Sequence, residues 1–239
     1  MKLDVLRGMK GLGFAVGIFV LWAGCLVVNF SWPVSDRPVL WTVAGMLIQT
    51  LLYTGLFITA HDSIHNSIWP GKQGLNRSIG TVILLLYALF PYGKIRRLHF
   101  QHHKTPGLPA DPDYHDGEHR SFFAWYFGFM LHYITWWQIL GMAVIFNGLH
   151  HLAGLAVPDL MLFWVLPSLL STLQLFIFGT YLTHREPPGG YTNDHHAASN
   201  NYPVWLSFVT CYHFGYHLEH HEYPSTPWWQ LPQRRRQLT

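Results

Sequence analysis

The chain has 239 residues, half of them apolar and only 11% charged, with a net charge of +3. A soluble domain carries about 25% charged residues, so this composition describes one integral membrane domain over residues 1–239. It excludes a disordered chain, and the small net charge argues against a nucleic-acid binder. Two cysteines, Cys25 and Cys211, leave no disulfide framework and no thiolate metal cage. Histidine, the commonest metal ligand, numbers 17 and exceeds both the 12 acidic and the 15 basic residues.

A membrane span needs about 20 apolar residues, because the hydrocarbon core is about 30 Å thick and a helix rises about 1.5 Å per residue. Residues 11–30 are the first uncharged stretch, preceded by Lys2, Arg7 and Lys10. No small-residue cleavage site follows, so the stretch reads as a retained helix rather than a secretory signal. Residues 38–60 are the second, and the short segment 31–37 makes the two a hairpin. Residues 78–93 are uncharged but would span only about 24 Å as helix, which suits a half-inserted or interfacial segment. Residues 121–184 carry a single charge, Asp159, and have the length of two spans, with Asn147-Gly148 and Pro158-Asp159 as turn signals. Residues 204–216 are apolar, aromatic and short, and Arg234, Arg235 and Arg236 form a loose basic tail.

The expected fold class is therefore an all-α integral membrane protein with about four transmembrane helices plus interfacial helices. With the N-terminus in the cytoplasm, four spans leave only Arg37 of the 15 lysines and arginines on the outer side, as the positive-inside rule demands. Gly13 and Gly17 in the first span allow close helix packing.

The histidines cluster. His61 and His65 lie in HDSIH, His99, His102 and His103 in HFQHH, and His217, His220 and His221 in HLEHH. Spacings of i, i+3 and i+4 put each set on one helical face, and the topology brings all three to the cytoplasmic boundary. Eight imidazoles exceed what one four- to six-coordinate ion uses, so a two-metal centre is the economical reading. Neutral imidazole suits iron, copper, zinc and nickel. A structural zinc site is closed by four ligands, and paired zinc ions in hydrolases recruit carboxylates, of which only Asp62 and Glu219 interleave here. These two acids are candidate partners that orient ligating histidines by accepting the other ring N–H. Iron with open positions for dioxygen suits an all-histidine site beside lipid. Soluble diiron bundles use Glu and Glu-x-x-His instead. Haem carriers place histidines within spans and transporters place ligands near mid-membrane, so clusters at one interface disfavour both.

The three boxes resemble those of the membrane fatty acid desaturase and hydroxylase superfamily. HDSIHNS, LHFQHHKTPGLPADPDYH, FGTYLTHREP and YHFGYHLEHHEYPSTPWWQLP look like the β-carotene ketolases of bacteria and cyanobacteria, over most of the chain from about Ala60 onward. This resemblance implies a non-haem diiron mono-oxygenase of a bacterial inner or photosynthetic membrane, with its site on the cytoplasmic side. It oxidises C4 of β-ionone rings through an alcohol to a ketone, giving echinenone and canthaxanthin from β-carotene. A ring hydroxylase or fatty-acyl desaturase of the same superfamily is the alternative. The eight box histidines would be iron ligands. The resemblance adds a further one from the last span, with His184 the candidate and His213 the rival. His195 and His196 read as solvated or capping groups, and His115, His119, His132, His150 and His151 as non-ligands. Asp111 and Asp113 either hold the second box by hydrogen bonds or build an Asp-Pro-Asp turn.

Dioxygen is the implied co-substrate, and each oxidation round needs two electrons. The chain has no dinucleotide or flavin fingerprint and no cysteine-rich cluster pattern, so an external donor of ferredoxin type is expected. Lys94, Arg96, Arg97, Arg185 and Arg234–Arg236 are its candidate docking set, although the same charges also satisfy the positive-inside rule. Trp69, Tyr87, Phe90, Tyr92, Phe122, Trp125, Tyr126, Trp136 and Trp137 are candidate walls of a lipid-open substrate tunnel. Trp228 and Trp229 read as interface anchors.

Overall fold

The structure, a computed structural model, describes residues 2–238, and every regular element among them is helical. Helix α1 (Lys2–Ser31) and α2 (Val39–Ile64) form the expected hairpin, joined by a 3-10 turn at Val34–Asp36. Helix α3 (Gln73–Ala88) stops where Leu89 turns left-handed (φ 56°) and Phe90 N–H closes back on Leu84 O, just ahead of Pro91. A left-handed residue followed by proline is a stop signal. Helix α4 (Tyr92–Lys104) leaves α3 at 103°.

Helix α5 (Phe122–Tyr133) meets α6 (Trp136–His151) at 85°. Lys94 Nζ donates to the Tyr133 and Ile134 carbonyls at the end of α5, and Thr135 Oγ1 accepts from Gln138 N–H to cap α6. Helix α7 (Val157–His184) is continuous, with π-helical stretches at Met161–Val165 and Ile177–Tyr181. Pro167, which has no N–H to offer the preceding turn, follows the first of these. Short helices α8 (Val204–Cys211), α9 (His217–Glu222) and α10 (Leu231–Leu238) complete the chain.

Among the described residues, three helices are long and apolar enough to cross a membrane, α1 from Asp4, α2 and α7, and the bent pairs α3–α4 and α5–α6 raise the count to as many as five. Two turn expectations are corrected. Asn147-Gly148 lies inside α6, and Pro158-Asp159 lies in the first turn of α7, because proline at the start of a helix favours initiation rather than reversal. The break in the first half of this region falls instead at Ile134–Thr135. The basic tail is not loose: it is α10, with Arg235 paired to Glu219 at 2.9 Å.

Two buried charges tie the end of the hairpin. Asp159 Oδ1 accepts from Val34 N–H at 2.8 Å. Arg37 donates to Asn29 Oδ1, Asn29 O and Trp32 O and lies over the rings of Trp32 and Phe163. The C-termini of α2 and α7 lie together at the opposite end, where they hold His61 and His184. Midway between the ends, Thr54 of α2, Tyr87 of α3 and Ser171 of α7 share hydroxyl hydrogen bonds at 2.9–3.1 Å, a polar link between the helices.

Candidate metal centre

Helix α2 continues one turn past the hydropathic stretch, so His61 sits in its last turn and His65 is its C-cap residue. Helix α4 carries His99, His102 and His103, α9 carries His217, His220 and His221, and α7 ends on His184. These four elements meet, and their histidines sort into two groups. His61, His65, His99, His103 and His220 form one, and His102, His184, His217 and His221 the other, with one ring nitrogen per residue within 4.8 Å of all the others in its group. Each HxxHH helix serves both groups. The i,i+4 pair of α4 goes to the five-histidine group and its i+3 histidine to the other, whereas α9 does the reverse. The groups adjoin, with the His103 and His221 rings 4.4 Å apart.

The nitrogens point at one another. His65 Nε2 is 2.6 Å from His99 Nε2, and His103 Nε2 lies 3.1 Å from His99 Nε2 and 2.9 Å from His220 Nε2. His221 Nε2 is 3.1 Å from both His102 Nε2 and His217 Nε2. Both nitrogens of His61 and Nε2 of His184 are buried without a partner. A neutral imidazole carries one N–H, so such convergent nitrogens cannot all be satisfied by one another, and buried unsatisfied polar atoms are costly. A cation between them removes the deficit. Burial, reinforced by neighbouring histidines, holds His217, His220 and His221 well below the ordinary imidazole pKa, so their lone pairs are free. The donor set is all nitrogen and fits two ions of the imidazole-preferring class.

Outer groups fix the rings. His102 Nδ1 donates to Asp111 at 2.9 Å, and Asp111 also accepts from Gly107 N–H and Asp113 N–H. The Asp-Pro-Asp segment is thus both a turn and a support for the second box. The Asp113 carboxylate accepts from the Tyr133 hydroxyl, its carbonyl accepts from Trp125 Nε1, and burial pushes its carboxyl above the ordinary carboxylate range. His184 Nδ1 donates to the His196 carbonyl at 2.9 Å, which leaves Nε2 facing its group. The 195–196 loop, expected only to be solvated or capping, orients a histidine of the centre.

Several placements differ from expectation. Glu219 lies between box histidines but turns away, accepting from Ser199 and Arg235. Asp62 Oδ2 accepts from Trp228 N–H, while Oδ1 stands 3.6 Å from His61 Nδ1. Trp228 is no interface anchor: it is buried, with its ring against Tyr212 and His213. His213 belongs to neither group and stacks instead between Tyr216 and Trp228, with a left-handed backbone (φ 62°).

An enclosed, mostly apolar chamber opens directly from the centre. His61, His99, His102 and His217 face it, and Phe57, Tyr87, Phe90, Phe129, Tyr133 and Phe214 are among its walls. Tyr87 and Phe90 are where the sequence put tunnel walls. Trp136 and Trp137 stack on each other at the exposed surface, and Trp69 packs where α1 carries Gly8. Phe57, Phe129, Tyr133 and Phe214 carry no motif that separates them from ordinary core aromatics.

A membrane-embedded helical domain with histidine clusters gathered at one end of its spans defines the class. The sequence model of the fatty acid desaturase family matches residues 37–139 and 132–239. The chain belongs to this family. It is 38% identical over 225 residues to a β-carotene ketolase of a Paracoccus species, covering 92% of this chain and 89% of that protein. It is 36% identical over 240 residues to a zeaxanthin 4-ketolase of Chlamydomonas reinhardtii, covering 95% of this chain and 53% of that longer protein. An sn-1 oleoyl-lipid 12-desaturase of Arthrospira platensis is 26% identical over 268 residues, covering 93% and 70%.

Proposed function

We propose that this protein is a β-carotene 4-ketolase, an oxygenase that converts the C4 methylene of a β-ionone ring to a ketone. The observation that carries the reading is an apolar chamber walled by four histidines of a nine-histidine centre, in a chain 36–38% identical to proteins named as ketolases. His61, His65, His99, His103 and His220 would hold one iron, and His102, His184, His217 and His221 would hold the other.

Iron, when bound, supplies dioxygen activation. The chain supplies geometry and exclusion of water. Asp111 and the His196 carbonyl hold ligand tautomers, and Phe57, Phe90, Phe129 and Phe214 confine the ring against the histidine face. The C4 methylene is allylic, so its C–H bond is weakened. One round consumes dioxygen, two electrons and two protons and yields the 4-hydroxy ring and water. A second round on the same carbon yields a geminal diol, which loses water to give the ketone. Electrons come from an external one-electron donor of ferredoxin type. The bilayer is crossed four times, with the centre on the cytoplasmic side. The support is parity: α2 ends at the centre, α7 starts at the opposite end, and one net crossing by α3–α6 links them. The basic residues, all but Arg37 on one side, set the orientation.

The test is expression in cells that accumulate β-carotene, followed by pigment chromatography. Echinenone and canthaxanthin are expected. A 3-hydroxylated product alone, or no oxygenated pigment from protein that holds iron, overturns the reading.

A further inference from the structure

A second chamber, of about 460 Å³, lies deeper between α6 and α7, on the side away from the histidines. It is continuous with the chamber at the centre: Tyr87, Phe90, Met130 and Thr172 belong to the walls of both. On α7 the wall residues run Met161, Trp164, Val165, Ser168, Leu169 and Thr172, then Leu175, Gly179 and Thr180. These steps of three and four keep to one helical face. The twenty residues of helix from Met161 to Thr180 cover about 28 Å, close to the thickness of the hydrocarbon core (about 30 Å). Several wall residues of the deeper chamber are exposed, Ile139 at 62%, Leu169 at 51% and Met161 at 45%, so its outer side opens where lipid tails lie.

We infer that the deeper chamber is the binding site for the far half of the carotenoid. One ring lies beneath the histidines, and the polyene runs lengthwise along α7 toward the opposite membrane face. Admission is sideways from the bilayer between α6 and α7. Along α7 the near chamber reaches only from Thr172 to Thr180, about 12 Å of helix, too short for the whole molecule, and a rigid linear polyene joined to a bound ring has one continuous apolar path to follow. Tyr87, Phe90, Met130 and Thr172 form the neck through which the ring passes. This inference rests on the proposed ketolase reading.

The experiment narrows the deeper chamber from each wall, with Ala143→Trp on α6 and Ser168→Phe on α7. Val144→Trp, on a lipid-facing position of α6 (64% exposed) outside both chambers, is the control. Each protein is purified from β-carotene-producing cells, and its bound pigment and iron are measured, together with conversion of β-carotene and of β-ionone, a single ring with no polyene. The expected result is that both narrowing variants keep wild-type iron and β-ionone conversion but lose bound carotenoid and at least tenfold of β-carotene conversion, while the control loses neither. Wild-type carotenoid content in both narrowing variants overturns the inference, as does recovery of a lipid acyl chain rather than pigment from the wild-type chamber. Wild-type protein that binds carotenoid but forms no ketone sinks the ketolase reading and leaves this site standing.

Discussion

His102 and Asp111 are joined by a hydrogen bond of 2.9 Å that fixes which nitrogen of the ring faces the centre. The bond crosses only nine residues of chain, and the turn that makes it also brings Gly107 N–H and Asp113 N–H to the same carboxylate. Replacing Asp111 by Asn frees the ring to choose its tautomer. Loss of such a partner lowers metal affinity by about 10–100-fold. Asp111→Asn is expected to fall from two irons toward one per chain, read by metal analysis after dialysis, and ketone formation falls with it.

His184 and His213 are the two candidates for a ninth ligand, and their rings stand in different surroundings. His184 sits 4.7 Å from His102 and 4.8 Å from His217, ring to ring, whereas His213 is stacked against Trp228. His184→Ala is expected to lose one iron and all ketone product. His213→Phe keeps both irons and most of its activity. Equal iron loss in the two variants counts against the assignment.

Glu219 is expected to matter for stability rather than for metal. Its carboxylate is 3% exposed and joins Ser199 to Arg235, tying the loop before α8 to α10. Removing one member of a buried ion pair costs about 3–5 kcal/mol, and the partial exposure of Arg235 puts Glu219→Leu at the lower edge. A lower thermal midpoint with iron content unchanged is the expected outcome. Iron loss without a stability change would mean that Glu219 acts on the ligands.

Gly179 sits in the second π-helical stretch of α7, where an added Cβ would lie 2.6 Å from the Phe214 ring. Phe214 packs on His61 at 4.6 Å and on His217 at 4.8 Å and forms part of the chamber wall. Overpacking costs about 1–3 kcal/mol and displaces side chains. Gly179→Ala is expected to push Phe214 toward the ring pocket and reduce ketone formation at least tenfold, with iron retained. Pigment yield and metal content together check it.

The sequence by itself determined the helices and the local order of the box histidines. Hydropathy marks α1, α2 and α7 because a bilayer tolerates no unsatisfied backbone, and HFQHH and HLEHH put histidines on one helical face through the 3.6-residue period alone. Asp111 was legible as a neighbour of the second box because nine residues of turn leave it little freedom. The tertiary structure decided what periodicity leaves open. The division of each HxxHH between two groups, the placing of His184 rather than His213 beside the box histidines, and the burial of Trp228 all depend on which faces of α2, α4, α7 and α9 meet. Several of those contacts join residues more than 100 positions apart. A local pattern fixes which way a side chain leaves its own helix, but the partner it meets is set by packing between helices, and the bend at Leu89 that aims α4 comes from capping contacts that no hydropathy pattern records.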